Sequence, residues 1–135
     1  MTTKTLRQTI TFKNATPQEV YDALVDSRKH SIFSGAKVKI DPTIGGAFSA
    51  YHGYITGTNL ELIPDKKIVQ TWHASDWPDD HMSTVTFLLS RTKNGTKLVF
   101  THVDIPANDY ENIKQGWIDF YWEPMEQFLT KPQKQ

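Results

Sequence analysis

Between Asn108 and Leu129 the apolar positions fall on two helical stripes. Tyr110, Ile113, Trp117, Tyr121 and Phe128 form one, and Ile118, Trp122, Met125 and Leu129 the other. Together they make the segment apolar over an arc too wide for a helix resting on a surface by one seam. Such a helix has to be wrapped, and the rest of the chain supplies strands. Residues 4–13 alternate, with Leu6, Ile10 and Phe12 on the apolar side. Thr16-Pro17-Gln18-Glu19 reads as a capping box with proline at the first helical position. It opens a short helix that buries Val20, Ala23 and Leu24, and a second short helical piece covers 27–33 and ends near Gly35.

Strand patterns then follow one another. Residues 37–40 form a short strand, broken by Asp41-Pro42 and Gly45-Gly46. Residues 47–51 and 54–63 read as a hairpin around His52-Gly53, and Pro64-Asp65 turns the chain into 67–73. A loop at 74–82 leads to 84–91, and a turn at Lys93-Asn94-Gly95 leads into 96–103, with Pro106 closing the sheet. Asn108, three residues before Glu111, is placed to cap the last helix. Pro124 removes one backbone hydrogen bond inside that helix and predicts a kink there.

The order β-α-α-β-β-β-β-β-β-α predicts an α+β fold. A curved antiparallel sheet of about seven strands wraps a long C-terminal helix, with two short helices after the first strand. Because the middle of the chain is a meander, the first strand has to pair with the last. Val85, Phe87 and Leu89 share one face of their strand, as do Leu98, Phe100 and His102 of theirs. Trp72 alternates with Ile68 and Gln70, and Phe48 is the large apolar residue of its strand. These side chains meet the Ile113–Trp117–Tyr121 stripe. They either interdigitate as a plain core or line a void of ligand size.

At 135 residues the chain is expected to form a single domain, with a polar tail over 130–135. Fifteen basic and fifteen acidic residues cancel, which argues against a nucleic-acid partner. The absence of cysteine removes disulfides, thiolate nucleophiles and cysteine metal sites. The first twelve residues show no apolar signal segment, and no apolar run is long enough to span a membrane. A cytoplasmic location is therefore expected, which makes the sequons at Asn14 and Asn94 chance matches. Four tryptophans raise the aromatic content and suit a large core, a pocket or a partner surface equally.

Candidate chemistry is sparse. The five histidines, His30, His52, His73, His81 and His102, show no metal-ligand spacing. The Asp79-Asp80-His81 cluster falls in a loop and reads as solvated. His73 and His102 lie on strands separated by a third. Ser34 and Ser49 lack the setting of an activated nucleophile. Gly45-Gly46 lacks the spacing of a phosphate loop. Asp104, Asp109 and Glu111 sit where acidic residues favour a helix N-terminus. No catalytic set, metal site or cofactor is expected.

The residues GGAF (45–48), Gly57, LELIPDKKIVQTW (60–72), DWP (76–78), VTFLL (85–89), NGTKLVFTH (94–102), IP (105–106) and QGWIDFY (115–121) together carry a resemblance. The chain resembles the activator of heat-shock-protein-90 ATPase family, within the START-like (SRPBCC) helix-grip superfamily. GWIDFYWEPMEQF is similar to the C-terminal domain of the eukaryotic co-chaperone, which stimulates that chaperone's ATPase. The resemblance implies the helix-grip fold and no intrinsic enzymatic activity. Two functions are left open. In the first, a small hydrophobic molecule lies between sheet and last helix, lined by Phe48, Trp72, Phe87, Phe100, His102, Ile113, Trp117 and Tyr121. In the second, the chain is a co-chaperone-like module that binds the heat-shock-protein-90 chaperone and stimulates its ATPase.

Overall fold

The computed structural model describes residues 2–51 and 53–130; Met1, His52 and the tail at 131–135 lie outside the described residues. Seven antiparallel strands form one curved sheet, built from β1 (Thr3–Lys13), β2 (Val38–Ile40), β3 (Ala47–Ala50), β4 (Ile55–Ile63), β5 (Lys67–Ala74), β6 (Ser83–Thr92) and β7 (Gly95–Pro106). Their order across the sheet is β1-β7-β6-β5-β4-β3-β2, so the first strand pairs with the last, as the meander requires. Each neighbouring pair is antiparallel. The concave face alternates as read from the sequence: Phe87 stands opposite Phe100, Val85 opposite His102 and Leu89 opposite Leu98, all buried.

Local chemistry explains where the two short helices begin and end. At the start of α1 (Pro17–Val25), the Thr16 hydroxyl accepts the Glu19 N–H at 3.1 Å and the Glu19 carboxylate accepts the Thr16 N–H at 2.8 Å. The Asp26 carboxylate caps α2 (Ser27–Ser34), which ends at Gly35 with φ 73°. The hydroxyls of Ser27 and Ser31 then accept the backbone N–H groups of Ile40 and Val38, fastening α2 to edge strand β2. In β4, a Cβ on Gly57 would lie 2.0 Å from the Thr71 carbonyl and 2.4 Å from the Phe48 ring. Only glycine lets that ring lie across the strand.

The last helix departs from its sequence reading in two ways. It begins with a 3₁₀ turn over Ala107–Asp109, and α3 (Tyr110–Trp117) carries no side-chain cap. Asn108 therefore does not cap it. The Asp109 carboxylate next to it is held instead by the Trp77 indole N–H and the Asn112 amide. Secondly, Ile118–Trp122 is a π turn between α3 and α4 (Glu123–Thr130), with the Glu123 N–H bonded to the Ile118 carbonyl five residues back. That extra residue rotates the helix, so the first stripe, Ile113–Trp117–Tyr121, hands over to Trp122–Met125–Leu129. Trp117 and Trp122, five apart, stack at 5.6 Å and 19°. The wide arc is thus one seam with a register slip. The irregularity expected at Pro124 takes the form of this π turn, which ends two residues before it.

The 74–82 loop is not solvated throughout. Trp77 is buried against Trp72 and His73. His81 packs on Trp77 and donates from Nε2 to the Asp104 carbonyl at 2.7 Å, while its own carbonyl accepts from His73 Nδ1. His81 thus tethers the loop to the sheet, while Asp79 and Asp80 are exposed, as the sequence reading expected.

Candidate functional site

The site grows outward from Trp117. Its ring lies 4.3 Å from Phe100, 4.4 Å from Tyr121 and 5.8 Å from Trp72, centroid to centroid. Its indole N–H donates to His102 Nδ1 at 3.1 Å. His102 Nε2 stands 2.8 Å from the Ser83 hydroxyl, which donates its own proton to the Trp72 carbonyl at 2.6 Å. With the hydroxyl proton committed there, His102 holds its proton on Nε2 and donates it to Ser83. A nucleophilic serine needs the opposite polarity, its proton aimed at the imidazole. Both residues are fully buried, and burial pushes His102 down to about 3, so the ring is neutral.

A second histidine does the same on the helical side. His30 donates from Nδ1 to the Leu24 carbonyl (3.0 Å) and accepts at Nε2 from the Tyr121 hydroxyl (2.8 Å). Burial lowers His30 to about 4, outweighing the Leu24 bond, and raises Tyr121 well above its ordinary value. Sequence reading gave His30 no role; Tyr121, on the helix it meets, lies 91 positions further along the chain.

The interior between sheet and helix is therefore filled. The void bordered by His30, Phe48, Gln70 and Phe87 amounts to about 10 Å³, at the lower limit for a single water. Phe48, Phe87, Phe100 and His102, expected to line a ligand cavity, are packed core and do not border the cleft. Trp72, Ile113, Trp117 and Tyr121 do. With Ile55 they form the floor of a cleft of about 420 Å³ that opens where β4 and β5 meet α3.

Its walls were not singled out from sequence. Tyr51 leaves β3 in the left-handed region (φ 56°) and stands edge-on to Phe120 at 6.0 Å. Phe120 is 51% exposed because the π turn swings it off the buried seam. The one sequence sign was its absence from both apolar stripes. Tyr54, Asp76, Asp109 and Asn112 complete the rim. The Tyr54 hydroxyl donates to Asp76 at 3.0 Å; partial burial, that bond and the charges of Asp76 and Asp109 push the phenol up to about 12. Burial raises Tyr51 likewise to about 12, and its hydroxyl is shielded with no hydrogen-bond partner. A more open groove of about 690 Å³ lies on the outer side, where Pro17 faces Ile63, Lys66 and Leu88. Among the described residues no group of three or more His, Asp or Glu is placed to hold a metal ion, and no helix is long and apolar enough to cross a membrane.

A bent antiparallel sheet closed around one C-terminal helix, with two short helices after its first strand, defines a helix-grip, START-like domain. The chain belongs to the family described as Activator of Hsp90 ATPase homolog 1-like protein, whose model matches residues 14–130. It is 30% identical over 111 residues to the activator of 90 kDa heat shock protein ATPase homolog 1 of Homo sapiens, covering 82% of this chain and 33% of that protein. It is 35% identical over 117 residues to the corresponding homolog of Dictyostelium discoideum, covering 86% and 30%. The chain thus spans about a third of the length of these curated relatives. Among solved structures it is similar to an HSP90 activator from Plasmodium falciparum, at 30% identity and a TM-score of 0.88 over 96% of this chain and 99% of that one.

Proposed function

We propose that this domain is a non-catalytic partner of a heat-shock-protein-90 chaperone and stimulates its ATPase. The observation that carries this reading is the correspondence along nearly the whole of both chains with an HSP90 activator that is itself one such domain. The Ser83–His102 pair supports the non-catalytic half, because its hydrogen-bond polarity activates no nucleophile. The test is calorimetric titration into the heat-shock-protein-90 homologue of the same cell, with ATP turnover followed in parallel. Turnover is expected to rise saturably, with a dissociation constant of about 1–10 μM, or roughly −8 to −7 kcal/mol. No binding at tens of micromolar removes this reading.

A second reading is favoured by the cleft. Its volume of about 420 Å³ falls in the range of small-molecule sites, and its floor is aromatic and aliphatic. Here the domain binds a small, mainly apolar molecule against Trp72 and Trp117. Native mass spectrometry of the protein as purified checks this, together with titrations read by tryptophan fluorescence. A protein that neither carries nor takes up any such molecule contradicts it.

A further inference from the structure

The cleft is apolar in its floor but not neutral at its mouth. Asp76 and Asp109 both reach the rim, one from the loop after β5 and the other from the turn before α3. Each carboxylate is oriented by a neutral donor: Tyr54 holds Asp76 at 3.0 Å, and Trp77 and Asn112 hold Asp109 at 2.9 and 3.2 Å. Neither has a lysine or arginine within ion-pair distance among the described residues. Their two negative charges are thus fixed in place and uncompensated, in a chain whose overall charge is zero. Beneath them stand the rings of Trp72, Trp117 and Tyr121, with Tyr51 and Phe120 at the side. Aromatic faces attract cations through their quadrupole and repel anions.

We propose that the cleft selects organic cations: an ammonium or amidinium head held between Asp76 and Asp109, carried on an apolar body that lies against Trp72 and Trp117. This rests on the second reading above and deepens it, since a neutral apolar ligand leaves both carboxylates at the mouth without a partner of opposite charge.

Three probes with one body and different heads test it on the native chain: 4-phenylbutylamine, 4-phenylbutanol and 4-phenylbutanoate. Binding is read by tryptophan fluorescence and by the indole N–H signals in NMR. The amine is expected to bind at least about tenfold more tightly than the alcohol, and the carboxylate more weakly than either. Raising sodium chloride from about 0.05 to 0.5 M weakens the amine and leaves the alcohol unchanged. The double variant Asp76→Asn, Asp109→Asn keeps an acceptor for Tyr54 and Trp77, and is expected to bring the amine down to the alcohol's affinity. Three probes binding alike overturns the cation selection while leaving the cleft a ligand site. No probe binding at millimolar concentration overturns both, and leaves the chaperone reading standing. The native-chain comparison does not depend on the variants folding.

Discussion

Trp117 joins the last helix to the aromatic cluster of the sheet. It is 3% exposed, touches Trp72, Phe87, Phe100, Tyr121 and Trp122, and gives its indole proton to His102. Trp117→Ala is expected to cost about 3–5 kcal/mol in chemical denaturation, through the cavity it leaves and an orphaned His102 nitrogen. A loss under about 1 kcal/mol would contradict the packing described. The two buried histidines make a separate prediction. Burial holds His30 at about 4 and His102 at about 3, whereas both titrate near 6.5 once unfolded. The unfolded chain therefore takes up protons first as pH falls. Stability is complete above the unfolded value and is lost as pH drops from 6.5 towards 4. Denaturation between about pH 6 and 5 is expected to show an uptake approaching two protons, or roughly 2.5 kcal/mol per pH unit from these rings. In NMR both rings stay in their neutral form down to about pH 5, and a folded protein in which either titrates near its usual value would refute this.

Among the elements, the last helix is the one whose regularity fails, and the failure has a cause in sequence. Proline in an α-helix interior clashes with the carbonyl four residues back. The π turn over Ile118–Trp122 lies just ahead of Pro124, where a wider turn moves that carbonyl aside. Deleting the exposed Phe120 would force the segment towards α register, with Trp117 and Trp122 then one ordinary turn apart. With proline present this deletion is expected to destabilise the domain by about 3 kcal/mol. Combined with Pro124→Ala, most of the loss should return in urea melts. Equal losses in both backgrounds would mean that the π turn owes nothing to the proline. The same deletion removes one wall of the cleft, so the rescued variant should also bind the small-molecule probes more weakly.

For the molecule as a whole, sheet and helix are packed to a nearly dry interior, and the space beside Trp72 and Trp117 opens outward as the cleft. A ligand entering there touches β5 and the last helix together. Anything that binds the folded state alone is expected to stabilise both elements as a unit. At about a hundred times its dissociation constant it should add roughly 2.7 kcal/mol, seen as a raised melting temperature. The chaperone reading predicts a different response, because activation requires a partner surface and ATP turnover as its readout. A cleft ligand that raises the melting point without altering turnover would show that the two activities occupy separate faces.

Periodicity and turn chemistry alone determined the element order, the buried face of each long strand and the capping box at Thr16, because each depends on near neighbours in sequence; the pairing of β1 with β7 followed from the meander that lies between them. The family was legible for the same reason: its short motifs recur at matching intervals. The tertiary structure decided the rest. Whether converging aromatic side chains fill or enclose space depends on a few ångströms of backbone placement, and here they fill it, leaving Phe48, Phe87, Phe100 and His102 in the core. The cleft's rim joins Tyr51, Asp76, Asp109 and Phe120 from four separate segments, and only the fold brings distant positions together. The register slip that merges two apolar stripes into one seam was equally hidden, since a helical wheel assumes the constant rotation per residue that the π turn breaks.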